Sequence, residues 1–390
     1  MLDTTSIWHA TFDVPSFAPL AHNARTDVCI VGAGIAGLST AYMLAEAGRK
    51  VVVVDDGPIG GGESGRTTAH LAIAMDDRIY VLERVHGVEG ARKIVESHGA
   101  AIDHMEEIVT DERIDCDFTR LDGYLFLSGS DGEDVLDEEL AAANRAGLAQ
   151  VSRLTGVPDA RFAFGPCLRF PNQAQFHPLK YLAGLAAAIV RAGGRIYCDT
   201  HVASVDGGST CKVKTDAEHT INAKAVCVCT NASIGDMVKT HAKQAPDRTF
   251  AIAAVVPRGS VRSALYWDTC SPHHDVRLER LEEPVPDALA GDGPYDALIV
   301  GGEDHKTAHA DDASMRWRCL EHWMRERFPQ AREVINQWSG QVLEPNDYVA
   351  FIGRDPDGAE NVYMASGDAG QGMTQGTIAG MLLSDLVLGR

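Results

Sequence analysis

Two glycine-rich turns, one near each end of the sequence, hold the residues with the clearest chemical meaning. Gly32-Ala33-Gly34-Ile35-Ala36-Gly37 has the G-x-G-x-x-G spacing. In this pattern the first glycine permits a tight turn, the second removes the Cβ that would block a pyrophosphate, and the third lets a helix pack closely on its strand. A helix starting near Ile35 then aims its unpaired N–H groups and positive dipole end at phosphates. Asp55 lies eighteen residues after Gly37, where a carboxylate accepts hydrogen bonds from adenosine ribose hydroxyls and disfavours a 2′-phosphate. This is chemistry for holding a dinucleotide, and NADP is not expected there. Near the other end, Ala365-Ser-Gly367-Asp368-Ala-Gly370-Gln371-Gly372-Met373-Thr374 precedes an apolar stretch over 376–388. A second glycine-rich strand-to-helix turn offers exposed backbone and a helix N-terminus to another phosphate or to a ribityl chain.

Glycines alone are a weak signal, so the elements around them decide. Residues 26–31 (TDVCIV) form a short β-branched run that leads straight into Gly32, residues 38–47 are helix formers closed by Gly48, and residues 50–54 are a second β-branched run ending at Asp55. This is strand, turn, helix, strand. Further along, 185–194 reads as a helix closed by glycines, 195–205 and 211–215 alternate like strands, and 224–230 reads as a continuous buried strand. Residues 124–127, 250–256 and 298–302 read as sheet, and 315–327 as a helix ended by Pro329. The sequence holds no second fingerprint of this kind, so a separate nicotinamide module is not expected. One fingerprint together with the C-terminal turn points to FAD rather than NAD.

The bulk properties set the limits. At 390 residues the chain has room for two or three domains, or two interleaved ones. A formal charge of -20 repels phosphate backbones and anionic lipid heads, arguing against nucleic-acid or membrane-surface partners. No stretch approaches the roughly 20 apolar residues that span a bilayer, and the start lacks a signal-peptide pattern, so a cytoplasmic protein is expected. Nine cysteines lack zinc spacing, and Cys29, Cys198, Cys227 and Cys229 read as buried thiols. Cys270, His273 and His274 read as loop, and no metal is expected.

With both ends read, the chain resembles the glycine/D-amino-acid oxidase superfamily of FAD enzymes. The segments that carry the resemblance are the fingerprint with Asp55, the loop from Gly60 through Glu63, Ser64, Gly65 and Arg66 to His70, the stretch Phe176-His177-Pro178, Thr200-His-Val202, the run from Val226 to Thr230 and Asn231, and the closing GDAGQGMTQG turn. Segments such as FGPCLRFPNQAQFHPLKYLAGLA and LIVGGEDHKT resemble bacterial members that often carry a C-terminal Rieske domain. A paired Cys-x-His and Cys-x-x-His sequence is missing before Arg390, so that domain is expected to be absent. The resemblance implies an α/β fold: a Rossmann-like FAD-binding domain (1–85, 175–237 and 344–390) interleaved with a mixed-sheet α+β substrate domain (86–174 and 238–343).

The resemblance also implies site residues. The ADP half falls to Gly32, Ala33, Gly34, Ile35, Ala36, Gly37, Asp55 and Asp56, with Val202 offering its backbone to the adenine. Arg66, Thr67, Thr68, Ala69 and His70 fall near the pyrophosphate and flavin, with Thr230 and Asn231 at the end of the buried strand. Gly367, Asp368, Gly370, Gln371, Gly372, Met373 and Thr374 wrap the ribityl chain and pyrimidine edge. Catalytic or substrate contacts are expected from His70, Gln371, Tyr124, Tyr266 and Tyr348, with His177, Trp267 and His305 as further candidates and Arg354 as a solvated loop residue. Ile299 and Thr374 stand where sarcosine-oxidase-like relatives place a lysine over the flavin and a carboxylate-gripping basic residue. Oxygen and an amino-acid carboxylate are therefore less favoured than another acceptor and a plain amine. His70 is offset from the usual linking position and Trp338-Ser339-Gly340 replaces a linking cysteine, so a non-covalent FAD is expected. The implied activity is hydride transfer from the carbon next to the nitrogen of a small amine or amino acid to flavin N5, with electrons passed to oxygen or to an electron-acceptor protein. Alternatives are an NAD(P)H-dependent flavin hydroxylase and a flavin-holding subunit of a larger complex. The substrate, the acceptor, the oligomeric state and a separate Rieske or ferredoxin-type partner stay open.

Overall fold

The computed structural model describes residues 4–127, 131–157, 164–232, 244–282, 293–307 and 312–390. The β-branched run before the first glycine turn forms the fully buried strand Val28–Val31, and its partner Val51–Val54 is buried likewise. Continuous burial of this kind is what a parallel strand covered on both faces requires. These two strands sit in a six-stranded sheet, ordered Phe351–Arg354, Val362–Ser366, Ala225–Val228, Val28–Val31, Val51–Val54, Arg195–Tyr197. All neighbours run parallel except the edge strand Phe351–Arg354.

Period-two geometry gives each strand two faces. Val28, Ile30, Val51 and Val53 pack among Leu38, Leu44, Leu182, Ile189 and Leu383, from the helices Ile35–Glu46, Pro178–Arg191 and Gly372–Leu388. Their neighbours Cys29, Val31, Val52 and Val54 pack against Val202, Val213 and Ile221 of a four-stranded sheet. That sheet is ordered Ala24–Arg25, Thr220–Ala223, Cys211–Thr215, Val202–Asp206. The alternating stretch over 195–205 is therefore two strands, Arg195–Tyr197 and Val202–Asp206, in different sheets, broken at Asp199 with φ 46°.

A third, mixed sheet runs Val334–Pro345, Gln244–Pro257, Tyr295–Lys306, His274–Arg280, Leu265–Asp268, Thr119–Phe126, Cys167–Gln175, His70–Leu71, with Ser152–Leu154 also pairing to Cys167–Gln175. One face, carrying Tyr124, Phe250, Ile252, Tyr266 and Val300, is covered by Trp317, Leu320 and Trp323 of the helix Ala313–Arg327. The other face carries Ala251, Ala253 and Ile299 into the core shared with the parallel sheet. The architecture is the expected α/β one, a Rossmann-like sheet beside a mixed sheet. The expected boundary at 237/238 lies outside the described residues.

The helix Ile79–Glu112, interrupted at Gly87 with φ 71°, is not among the elements read from the sequence, although Ala91, Val95, Ile102, Met105 and Ile108 follow helical spacing. Its buried residues are widely spaced and separated by charged and polar ones, because it covers the mixed sheet with one narrow stripe. His98 on this helix is buried, its Nδ1 2.9 Å from the Ile94 carbonyl, and burial lowers its pKa to about 4. An unfolded histidine titrates near 6.5, so the stability that neutral His98 contributes is present above that pH and lost as the pH falls toward 4. The full loss is about 3 kcal/mol. We therefore expect the stability gap between wild type and His98→Leu to shift in favour of the variant as urea midpoints are followed from pH 7 to pH 4; a gap independent of pH contradicts this.

Candidate active site

The two glycine-rich turns open into one cavity of about 1250 Å³ between the parallel and mixed sheets. That exceeds the space a single drug-sized ligand needs and suits a dinucleotide with a small substrate beside it. Gly32 has φ +110°, and a Cβ there would meet the Cys229 carbonyl oxygen at 2.4 Å; a Cβ on Gly34 would meet Ser64 Oγ at 2.9 Å. Ser64 Oγ accepts from the Ile35 N–H, the first amide of the helix Ile35–Glu46. Asp55 is half-buried at the cavity wall, where desolvation raises its pKa. It accepts from the Ala33 N–H at 2.5 Å and the Gly57 N–H at 2.9 Å, so the acid also shapes the glycine turn.

At the other end, Gly367 (φ +76°) and Gly370 (φ +72°) reverse the chain ahead of the helix Gly372–Leu388. This helix crosses Ile35–Glu46 at small residues: a Cβ on Gly376 would meet Ile35 Cγ2 at 2.5 Å, and one on Gly380 would meet Ser39 Cβ at 2.6 Å. That close crossing brings both helix N-termini to the same cavity. Gln371, the N-cap residue, is 7% exposed, lines the cavity and makes no side-chain cap bond.

The loop between these turns is pinned from several sides. The Trp8 indole N–H donates to the Thr67 carbonyl, the Trp338 indole N–H to the Arg66 carbonyl, and the Gln341 N–H to Glu63 Oε2. Ser6 Oγ donates to the Gly65 carbonyl. Beyond it, His70 Nδ1 lies 3.4 Å from Asp275 Oδ2, while His70 Nε2 has no hydrogen-bond partner among the described residues. Burial, helped by the Arg277 charge, pushes the His70 pKa down to about 3. The His70–Asp275 contact is thus a neutral imidazole beside a carboxyl group, not an ion pair. Next to it, Asp304 lies 3.2 Å from His273 Nδ1, and the surrounding carboxylates outweigh burial to raise His273 to about 9.

A family model described as FAD dependent oxidoreductase (DAO) matches residues 27–386. The chain belongs to this family. Gamma-glutamylputrescine oxidoreductase of Escherichia coli (strain K12) is 28% identical over 402 residues, covering 100% of this chain and 90% of that protein. A Bacillus subtilis (strain 168) protein named as a Rieske 2Fe-2S iron-sulfur protein is 29% identical over 384 residues, 97% of this chain and 72% of that one. Among solved structures, glycine oxidase from Geobacillus kaustophilus superposes with a TM-score of 0.75 at 19% identity, covering 94% of this chain and 96% of that one. L-proline dehydrogenase from P. horikoshii gives 0.76 at 17% identity, with 94% of each chain covered. These two likenesses speak to the fold.

As a DAO-family oxidoreductase the chain uses FAD, and its own cavity fits that cofactor: side-chain-free backbone at Gly32 and Gly34, an acid, Asp55, in the wall beside them, and two helix N-termini. Of the expected site residues, Gly32, Gly34, Ile35, Ala36, Asp55, Asp56, Arg66, Thr67, Thr68, His70, Val202, Thr230, Asn231, Gly367, Asp368, Gly370, Gln371, Gly372 and Met373 line the cavity. Ala33, Gly37, Ala69 and Thr374 stand behind that lining. A Cβ on Gly37 would strike the Gly32 carbonyl oxygen at 1.9 Å. The Ala69 carbonyl accepts from Arg277 Nη1, and Thr374 Oγ1 donates to the Gln371 carbonyl.

Three expected catalytic residues lie off the cavity. Tyr124 and Tyr266 stack on each other, 5.9 Å between ring centres, on the face covered by Trp323 and Phe328. The strands carry them there because their odd-even position is that of the outer face; Trp267, one residue on, points inward and lies 6.3 Å from the His70 ring. Tyr348 packs beside the long helix. His177 caps the helix Pro178–Arg191 against Trp8, and Arg354 lies over the Tyr363 ring at an exposed strand end. His305 does line the cavity, stacked on Phe250. Sequence reasoning missed Asp275, Asp76, Asp77, Asp247 and Glu344, which also line it, and took His273, another lining residue, only as loop. Nothing in their local spacing marks them, since strands far apart in sequence bring them together.

Proposed function

We propose that this protein oxidises a small amine or amino acid at the carbon bonded to nitrogen. One observation carries the proposal: the cradle for FAD continues without interruption into a buried polar chamber containing His70 and Gln371. When bound, FAD supplies a two-electron acceptor that takes a hydride from that carbon. The chain's own residues do the rest. Residues 1–85, 175–237 and 344–390 form the FAD-binding part, and 86–174 and 238–343 the substrate part. Asp55 holds the ribose, the Val202 backbone the adenine, and Gly32 to Gly37 the pyrophosphate. Arg66, Thr67 and Thr68 would flank the flavin, and the helix that begins at Gly372 would lie toward its pyrimidine edge. A positive helix end there favours negative charge as electrons arrive.

His70 stays neutral and offers Nε2 to a neutral amine, orienting its lone pair and its C–H toward the flavin. Gln371 provides a second polar contact, and the chamber walls exclude water. FAD is held without a covalent bond. When bound, the reduced cofactor would supply its electrons to oxygen or to an acceptor protein.

The test is anaerobic flavin bleaching across amines, N-alkyl amines and amino acids, with NADPH as the opposing reagent. We expect at least one amine to bleach the flavin completely at a rate about 100-fold or more above that with NADPH, since the dinucleotide cradle is already taken by FAD. Rapid bleaching by NADPH alone favours a hydroxylase, and no bleaching by any amine removes the proposal. Acid precipitation should release the flavin into the supernatant.

A further inference from the structure

The chamber beside the flavin cradle is strongly acidic, and its acids converge on one place. Asp76 and Asp77 arrive from the segment ahead of the long helix, Asp247 and Glu344 from two paired strands of the mixed sheet, and Asp368 from the C-terminal glycine turn. The packing is tight: a Cβ on Gly370 would meet Asp76 Oδ2 at 2.4 Å, and Asp368 Oδ1 is already tied to the Leu343 N–H at 3.1 Å. Glu344 Oε1 and Asp247 Oδ1 are shielded from solvent and have no hydrogen-bond partner among the described residues.

Of the basic groups nearby, Lys306 lines the cavity as an exposed residue opposite Asp247 on the neighbouring strand, and the arginines and His273 already have partners. Arg78 donates to the carbonyls of Met75 and Asp268, Arg66 to that of Ser339, and His273 faces Asp304. Arg78 is thus tied through both terminal nitrogens to backbone carbonyls, and Arg66 through one. Thr374 is fully buried and bonded to its own helix.

A cluster of half-buried carboxyl groups with few donors has two ways to settle: hold protons, or bind a cation with several N–H donors. Burial and the surrounding Asp77, Asp76, Asp368 and Asp247 push Glu344 up to about 9, and burial raises Asp77 to about 7. Among themselves these groups therefore share protons at neutral pH. Gln371, buried, cavity-lining and without a cap bond, adds a neutral polar contact between this cluster and the flavin cradle.

We infer that the substrate is an amine carrying a second, cationic nitrogen, which is held by Glu344, Asp76, Asp77, Asp247 and Asp368 while the reacting nitrogen sits neutral by His70. The inference rests on the amine-oxidation reading and narrows its substrate class to diamines and longer polyamines rather than α-amino acids.

Three probes of one chain length isolate the far-end charge: 1,4-diaminobutane, butylamine and 4-aminobutanoate. Each is titrated calorimetrically into dithionite-reduced holoenzyme, which cannot turn over, and separately mixed with the oxidised enzyme to follow flavin bleaching. The expected Kd for 1,4-diaminobutane is about 100-fold below that for butylamine, the weight of one or two buried charge-assisted hydrogen bonds, with 4-aminobutanoate weakest. Glu344→Gln should narrow the diamine-to-butylamine ratio about tenfold. Equal affinities, tighter binding of 4-aminobutanoate, or no binding by any of the three overturns the charge assignment, whatever the flavin does. Tight diamine binding without bleaching keeps the assignment and overturns amine oxidation instead.

Discussion

Gly37→Val gives colourless protein. A Cβ at this position would sit 1.9 Å from the Gly32 carbonyl oxygen and 3.3 Å from Ile30 Cγ2, and the first of these is backbone that cannot swing aside. Helix Ile35–Glu46 must then withdraw from its strand, carrying its N-terminus away from the pyrophosphate. Overpacking of this kind costs about 1–3 kcal/mol of stability, but the cofactor loses more, because the amides that grip it are displaced together. The flavin-to-protein absorbance ratio after purification and incubation with excess FAD should fall below roughly a tenth of wild type, a loss of about 1.4 kcal/mol or more in binding. Gly48→Ala is the control. Gly48 also has a left-handed backbone, φ +76°, but open space around it. It should lose about 1 kcal/mol of stability and keep its colour. A yellow Gly37→Val protein at full occupancy would mean that this turn does not hold the dinucleotide.

The second large effect is expected at His70. Because burial holds its pKa near 3, the ring does not titrate between pH 5 and 9, so it acts as a fixed hydrogen-bonding group. His70→Leu should slow flavin reduction about 100-fold, the usual result of losing one orienting contact at a reacting centre, while FAD content stays at the wild-type level. The pH profile supplies the independent check. Wild-type reduction should rise with pH as the substrate ammonium loses its proton, with no inflection near the 6.5 of an ordinary histidine. An inflection there, abolished in His70→Leu, would mean that His70 takes up a proton during the reaction.

The parts of the site that the sequence makes legible share a local origin. Gly32, Gly34, Gly37 and Asp55 belong to one strand-turn-helix-strand unit, and the turn from Gly367 to Met373 directly precedes its helix, so spacing alone describes them. The tyrosines fail for a reason of parity. Tyr124 and Tyr266 lie on the correct strands, but a one-residue offset in a period-two element sends a side chain to the opposite face. The acid chamber fails for a reason of topology. Asp76, Asp247, Glu344 and Asp368 are separated by up to hundreds of residues, and only the pairing of Gln244–Pro257 with Val334–Pro345 and the return of the C-terminal turn make them neighbours. The long helix Ile79–Glu112 escapes notice because Gly87 interrupts its phase and its apolar stripe is interleaved with charged residues.

The crossing of Ile35–Glu46 with Gly372–Leu388 has a consequence for biogenesis. The second of these helices leaves the ribosome long after the first, so the half-built cradle must wait through most of translation with its apolar wall uncovered. Cofactor capture therefore waits for the second helix: flavin shortage would leave the two helix beginnings unfastened, a natural target for cellular quality control.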